Sequence, residues 1–173
     1  MTPRRRYAAG WAALLVAALL CSLGAWSYHQ AREDRSLSYA KARDAALAQG
    51  RRHLTTLNSL DGTDGTRVDA GLRGWLDAST GALHDELKRT AKADARTLTT
   101  AGDTARGKVT AAALTVLDER TGTAELIATV DVEVTPRTGA AGTQRKRFGA
   151  TLARTGDGWK VKALTAIGPG GGR

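Results

Sequence analysis

The chain has 173 residues, 26 Lys and Arg against 17 Asp and Glu, and a formal net charge of +9. This length suits one ordinary domain and excludes two large ones. The single cysteine, Cys21, excludes an intramolecular disulfide framework, and its apolar surroundings predict a small hydrophobe without redox chemistry.

The positive charge does not have the pattern of a nucleic-acid-binding protein. Arg4, Arg5 and Arg6 supply three of the 26 basic residues, and the others are dispersed along the chain beyond residue 30. No aromatic side chains alternate with the basic clusters to stack on bases. We therefore expect no nucleic-acid partner, and instead a domain that faces anionic membrane lipids.

A charge-free segment follows the basic N-terminus. Residues 8–28 are apolar or small except for two serines. Because roughly 20 helical residues cross the hydrocarbon core of a bilayer, this segment predicts a transmembrane helix. Trp11 lies near one end, and Trp26 and Tyr28 lie at the other, where aromatic rings settle at membrane interfaces. The three arginines predict a cytoplasmic tail over residues 1–7 and an extracytoplasmic position for the rest of the chain.

A cleaved signal peptide is the alternative interpretation of this N-terminus. No A-x-A site follows the apolar run, and a cut near Ser22 and Gly24 would fall inside it. A lipoprotein signal would need a small residue before Cys21, where Leu20 stands. The sequence favours an uncleaved anchor and therefore a single-pass protein of the cell membrane.

Helical patterns fill the next part of the chain. Residues 29–60 have an apolar stripe at three- and four-residue steps, which predicts a helical stalk that continues into the first helix of the exported domain. Asp61 and Gly62 begin a turn. Thr66 with Asp69 has the form of a capping box that opens a second helix. Ser79, Thr80 and Gly81 then separate this helix from a third one.

The period changes from 3.6 to 2 after Gly107, which predicts strands. The predicted strands are residues 109–117, 123–134, 144–155 and 159–167. Helices followed by strands indicate an α+β domain over residues 29–167, with about three helices packed on a curved four-stranded antiparallel sheet. Residues 168–173 form a Gly-rich tail that we expect to be flexible.

The alternation also predicts which residues of neighbouring strands meet. A turn centred on Gly139 would pair Val130 with Phe148 on the inner face of the sheet, and on the outer face Asp131 with Arg147 and Glu133 with Arg145. A two-residue turn at Gly156 and Asp157 would pair Leu152 with Val161 and Ala150 with Ala163.

No motif of the chain indicates catalysis, a cofactor or a metal. The Asp61 turn lacks the third-position ligand and the distal glutamate of a calcium loop. His29, His53 and His84 do not have zinc-type spacing, and Ser79 does not stand in a nucleophile-elbow sequence. The predicted inner face of the sheet contains no acid, histidine or tyrosine that could act as a base. We expect no enzyme.

Two sets of residues are candidates for binding. The inner face is either a packed core or the wall of an apolar cavity for a lipid-like ligand. The cavity would be lined by Leu72, Trp75, Leu76, Leu83, Leu126, Val130, Phe148 and Leu152. Arg145 and Arg147 are a candidate contact surface for a protein partner, although cross-strand ion pairing on a solvated face accounts for most of this basic run.

Four stretches of the chain resemble the Mce-associated membrane proteins of actinobacteria, which are encoded with mammalian-cell-entry lipid transporters. The stretches are YAKARDAALAQGRR from Tyr39, LNSLD from Leu57, VDAGLRGWLDASTG from Val68 and GDGWKV from Gly156. The resemblance implies a cystatin-like or nuclear-transport-factor-like exported domain with a non-catalytic role. Such a protein would support an importer of sterols or other lipids by contacting its envelope components, and would itself contact membrane lipids.

Other functions stay open at this level. The domain could be a lipid-binding module with an apolar cavity, or an assembly factor of a secretion apparatus, because such factors share the short cytoplasmic tail, the single span and a similar exported domain. An enzyme of the same fold is a more remote possibility. A homo-oligomer is compatible with each of them.

Overall fold

A computed structural model describes residues 3–168, and for residues 3–19 and several positions between residues 23 and 35 it describes the backbone alone. The described residues form three helices, α1 (Pro3–Leu57), α2 (Gly65–Ala78) and α3 (Gly81–Ala101). They also form five strands, β1 (Leu60–Asp61), β2 (Thr104–Asp118), β3 (Thr123–Thr135), β4 (Gly142–Thr155) and β5 (Gly158–Ala166). The α+β class predicted from the change of period is confirmed.

The chain divides into two compact units, Met1–Lys41 and Ala42–Arg173. The first contains the predicted membrane span, and for residues 8–19 of that span the side chains lie outside the described part of the chain. Residues 1–2 of the predicted tail and residues 169–173 of the Gly-rich end also lie outside it. Among the residues that are described, no helix combines the length and the apolarity needed to cross a bilayer.

The sheet of the second unit has five strands, so the prediction of four was wrong. The strands are antiparallel and lie in the order β1-β2-β3-β4-β5. The missed strand, β1, pairs Leu60 with Ala105 and Asp61 with Thr104. Two residues are too few to show a period, and they lie where the sequence indicates the end of a helix and a turn.

The predicted pairing of β3 with β4 was wrong by two residues. Val130 pairs with Lys146 and Asp131 with Arg145, because the loop of residues 136–141 centres one residue earlier than Gly139. Since side chains alternate with a period of two, a shift of two residues leaves every side chain on its predicted face. The alternation in β3 is confirmed, with Leu126 and Val130 buried and Ile127 exposed.

The last hairpin follows its prediction only near the turn. Leu152 pairs with Val161, as expected. A register shift between Thr151 and Leu152 then places Leu164, and not Ala163, opposite Ala150. A bulge of this kind adds one residue to one strand, which turn chemistry alone cannot predict.

The core lies between the inner face of the sheet and the C-terminal part of α1. Leu54 and Ala46 of α1 have no exposed surface, nor do Val130, Leu152 and Val161 of the sheet. Leu83 at the start of α3 packs against this cluster. Burial of these side chains supplies the main favourable term that holds helix and sheet together.

Helix α2 begins differently from its predicted capping box. Its N-cap is Asp64, whose carboxylate accepts a 2.9 Å hydrogen bond from the Arg67 N–H, and Thr66 lies within the first turn. Aspartate is as good an N-cap as threonine. Because Asp64 comes two residues before Thr66, the helix starts earlier than predicted.

The C-terminal end of α1 is joined to the sheet by side-chain hydrogen bonds. The Asn58 amide donates to the Leu54 carbonyl at 2.9 Å, and the Ser59 hydroxyl donates to the Thr55 carbonyl at 2.8 Å. The same hydroxyl accepts a 2.9 Å hydrogen bond from the Gly107 N–H of β2. Ser59 therefore adds a second donor to the Thr55 carbonyl, which also accepts from the Asn58 N–H at 3.3 Å, and fixes the position of β2 with the same side chain.

Trp75 attaches α2 to the same helix end. Its indole N–H lies 2.9 Å from the Thr56 carbonyl and 3.0 Å from the Ser59 carbonyl, and it donates to both. The Thr56 carbonyl also accepts from the Ser59 N–H at 3.0 Å, so the indole is a second donor to the last turn of α1. Trp75, which the sequence places in a cavity lining, is thus a structural link between α1 and α2.

We predict that Ser59→Ala destabilises the fold by about 2 kcal/mol, because it removes two hydrogen bonds and leaves the half-buried Gly107 N–H without its acceptor. Urea unfolding of the full chain, followed by circular dichroism, measures the change. Thr97→Ala is the control, since its hydroxyl bonds only to the Ala93 carbonyl on an exposed helix face, and it should change stability by less than about 0.5 kcal/mol. Equal midpoints for the two variants would contradict the prediction.

We also predict that Gly158→Ala destabilises the protein by about 1–3 kcal/mol. Gly158 has a φ of +106°, and a Cβ there would lie 2.5 Å from Gln49 Oε1, the atom that accepts the Trp159 N–H. Gly156 in the same turn has nothing within 4 Å of such a Cβ, so Gly156→Ala is a matched control that should unfold close to wild type. Thermal unfolding compares the two, and a smaller loss for Gly158→Ala than for Gly156→Ala would be the opposite result.

Candidate functional site

The outer face of the sheet carries an apolar pocket beside an arginine. The pocket has a volume of about 270 Å³. We call its outward-facing lining the outer patch, which consists of Ala111, Ala113, Ile127, Thr129, Arg147 and Ile167. The patch combines strands β2, β3 and β4 with the residue that follows β5.

Small neighbours explain why the pocket exists. Ile127 stands between Ala113 of β2 and Gly149 of β4, and 48% of its surface is exposed. Ile167 closes the far side, where its N–H donates to the Arg147 carbonyl at 2.8 Å. An isoleucine flanked by alanine and glycine on neighbouring strands leaves a depression that larger side chains would fill.

An ion pair fixes the polar end of this face. The Arg145 guanidinium donates two hydrogen bonds to the Asp131 carboxylate, at 2.8 and 3.1 Å. These bonds, with the charges of Arg145 and Lys108, hold the pKa of Asp131 below its ordinary value. The prediction that the basic run forms cross-strand ion pairs is confirmed for Arg145, but its partner is Asp131 and not Glu133.

Arg147 has a different environment from Arg145. It stands opposite Thr129, not Asp131, and forms no salt bridge with another residue of the described part of the chain. Its exposed side chain lies at the pocket. Of the two arginines of the predicted contact surface, Arg147 is therefore the one available to an outside partner.

The structure distributes the eight predicted cavity residues over several places. Leu126, Val130, Phe148 and Leu152 belong to the core cluster, and Leu83 packs against it. Leu72 and Leu76 line a groove of about 380 Å³ between α2 and α3. Trp75 makes the hydrogen bonds to the end of α1 described above, and Phe148 also contributes to the pocket on the outer face.

Titratable side chains elsewhere have structural partners. His53 is half-buried, and loss of solvation lowers its pKa. His84 Nδ1 lies 3.0 Å from the Leu76 carbonyl. The Thr63 hydroxyl and then Arg67 hold the pKa of Asp61 well below its usual range. Within residues 3–168, where side chains are described, no three His, Cys, Asp or Glu side chains come together as metal ligands would.

The outer patch was missed at the sequence level, although a signal was present. The outward positions of β3 are Glu125, Ile127, Thr129, Asp131 and Glu133. Ile127 is the single hydrophobe among them, and a lone outward hydrophobe is common on protein surfaces. Only the register, which places Ala113 and Gly149 beside it, shows that it belongs to a pocket.

Solved structures share this fold. The chain is similar to CagV, a VirB8 homolog of the T4SS from Helicobacter pylori strain 26695, with a TM-score of 0.54, 9% identity, and coverage of 71% of this chain and 96% of CagV. It is also similar to a periplasmic fragment of TraM, with a TM-score of 0.52, 13% identity, and coverage of 69% and 92%. At these identities the similarity establishes the fold.

A third similarity is weaker. An NTF2-like protein with a cystatin-like fold from Novosphingobium aromaticivorans gives a TM-score of 0.45 and 16% identity, over 77% of this chain and 85% of that one. No protein-family model and no curated protein matches the chain.

We predict that Arg145→Gln raises the pKa of Asp131 toward its ordinary value, because the guanidinium hydrogen bonds are the main cause of the lowering. Since the pKa is lowered in the folded protein, the pair contributes stability above the ordinary pKa and loses it as the pH falls. Titration of the Asp131 carboxyl carbon by NMR measures the change. Arg147→Gln is the control and should leave this pKa unchanged; a pKa that moves equally in both variants would contradict the assignment.

Proposed function

We propose that this protein is a non-catalytic, membrane-anchored accessory protein of the cell envelope, and that its α+β domain is an assembly component of a secretion apparatus. The observation that carries the proposal is the similarity of the fold to CagV, a VirB8 homolog of a T4SS, across 96% of that chain. The periplasmic fragment of TraM has the same fold. Both comparisons favour a domain that works in the envelope.

The anchor in this proposal comes from the sequence. Arg4–Arg6 precede a run of 21 residues without Asp, Glu, Lys or Arg, residues 8–28. A basic flank before such a run favours a cytoplasmic N-terminus and an exported domain. The residues from Ala42 onward would then lie outside the membrane.

The outer patch is the contact surface that we assign to this function. Interfaces bury apolar groups at their centre and surround them with polar ones, with arginine enriched. Ile127 and Ile167 supply the apolar centre, and Arg147 supplies a cation that forms no salt bridge within the described part of the chain. An envelope protein with an apolar side chain and an adjacent carboxylate would complement this surface.

Support of an Mce-type lipid or sterol importer is the second candidate. The four stretches that resemble Mce-associated proteins favour it. Two of them have structural tasks in this fold: the stretch from Leu57 ends α1 and forms β1, and the stretch from Gly156 forms the last turn and buries Trp159. The fold therefore explains these two stretches, and they do not identify a partner.

A lipid-binding module is the remaining alternative, and its cavity would need space beside the core residues. Leu126 and Leu152 are 1% and 0% exposed within the packed cluster. Two others of the predicted set, Leu72 and Leu76, line the open groove between α2 and α3, away from the core cluster.

We predict that the protein, cross-linked and purified from its own membranes in mild detergent, carries subunits of a secretion apparatus. Mass spectrometry identifies the partners. Recovery of lipid-importer subunits would support the second candidate instead, and recovery of the chain alone would contradict both.

A charge reversal tests the contact surface. Arg147→Glu should reduce the recovered partner several-fold, because it places an anion where we expect a carboxylate to bind. Lys88→Glu on the exposed face of α3 makes the same charge change away from the outer patch and should retain the partner. Equal loss in both variants would show that the effect is one of net charge and not of the surface.

A further inference from the structure

Strand β2 is an edge of the sheet over most of its length. Along one side it pairs with β3 from Thr104 to Asp118. On the other side, among the described residues, β1 pairs with it at Thr104 and Ala105, and the Gly107 N–H bonds to Ser59. From Lys108 onward no described strand occupies this side. Backbone groups along such an edge can pair with another strand.

The free edge lacks the usual protection of charge. The segment Val109 to Leu117 reads VTAAALTVL and contains no charged residue. Ala113, Thr115 and Val116 are exposed, and Val116 retains 49% of its surface. Natural edge strands are commonly kept apart by lysines or by prolines within them, and this one has neither over nine residues.

Two bulges interrupt β2, one on each side of Ala113. Thr110 is the extra residue of one bulge and Thr115 of the other, and each hydroxyl bonds back to a β3 carbonyl, at 3.2 and 3.3 Å. When the two extra residues are left out, Val109 and Leu117 each lie three pleat positions from Ala113. Lys108 and Asp118 each lie four positions from it. Two copies of β2 running antiparallel about Ala113 therefore place Val109 of one copy opposite Leu117 of the other, and Lys108 opposite Asp118.

Charge follows the same symmetry. Lys108 stands opposite Asp131 of β3, and Asp118 stands opposite Thr123, so both belong to the outer face. Antiparallel pairing about Ala113 brings Lys108 of one copy opposite Asp118 of the other, and the two-fold axis repeats this contact. Opposite charges across a strand pair are favourable, and like charges are not.

We propose that β2 is a homodimerisation edge, at which a second copy of this chain pairs antiparallel about Ala113 and extends the two sheets into one. The occupant is a second copy because β2, with Lys108 at one end of the free edge and Asp118 at the other, is complementary in charge to itself at both ends of the strand pair. The contact is isologous, so it closes at two subunits. It removes the exposed edge from both chains. This inference goes beyond the proposed function and does not depend on it.

The dimer would also bring the two outer patches together. Ala111 and Ala113 line the pocket on the outer face and belong to β2. Pairing about Ala113 places the pockets of both copies on the same face of the continuous sheet, one on each side of the axis. A partner of the outer patch would then meet two equivalent binding sites.

A cysteine at the axis tests the pairing in the full chain. With the single native thiol removed by Cys21→Ser, Ala113→Cys should form a disulfide-linked dimer on mild oxidation in detergent, because residues directly opposite in an antiparallel pair have Cβ atoms close enough for a disulfide. Thr165→Cys is the control, an exposed residue on the same face but on β5, the opposite edge. It should remain monomeric on non-reducing gels.

A charge reversal tests the register. Lys108→Glu in the Ala113→Cys background places like charges opposite each other at both ends of the strand pair and should slow cross-linking about tenfold. Lys108 is changed because Asp118 also holds its own turn, through hydrogen bonds from the N–H groups of Arg120 and Thr121. Unchanged circular dichroism melting would verify that the variant is folded.

Other results would contradict the edge contact or its register. Absence of the Ala113→Cys dimer, or equal cross-linking at Thr165→Cys, overturns the edge contact. Cross-linking that Lys108→Glu does not slow overturns the register. A partner recovered from membranes by the outer patch, with no Ala113→Cys dimer, would leave the proposed function standing and refute this inference alone.

Discussion

The position of the sheet depends on how α1 ends. Carbonyls at the C-terminus of a helix need donor partners, and here the side chains of Asn58, Ser59 and Trp75 donate to them. Because the Ser59 hydroxyl also accepts the Gly107 N–H, the same residue that terminates the helix sets the start of β2. Gly107 permits this approach, since a Cβ there would lie 2.7 Å from Asn58 Cβ. The order of the other strands follows from β2 through consecutive hairpins.

Local sequence patterns predict the helices, turns and strands, but they do not predict how distant strands pair. The Ser79 break, the glycine turns and the period-2 runs predict the elements and the buried face of β3, because each depends on neighbours a few residues away. The two-residue shift of β4, the bulges at Thr110 and Thr115, and the pairing of β1 depend on contacts up to 45 residues apart. No local pattern specifies them. The outer patch depends on this register, so the sequence alone does not predict it.

The inner and outer faces of the sheet have different roles. The buried part of the inner face is closed by α1 and is apolar, which agrees with a structural role for Leu126, Val130, Phe148 and Leu152. The outer face is mostly polar, and its exposed hydrophobes Ile127 and Val116 lie on β3 and β2, so its recognition chemistry is concentrated near these two strands. A domain of this kind presents a surface on a rigid sheet, where strand geometry and not a mobile loop fixes the spacing of its contact groups.

The bond between the Trp159 N–H and Gln49 joins residues 110 positions apart, whereas every hairpin from β2 to β5 joins neighbours in the sequence. Closing so long a loop costs entropy that the hairpins do not pay. The four-stranded meander can therefore assemble first, with α1 docking in the last step. In a chain that emerges N-terminus first, the C-terminal part of α1 must wait, with its apolar stripe uncovered, until the final strand has been synthesised. That interval is when this protein would most depend on a chaperone.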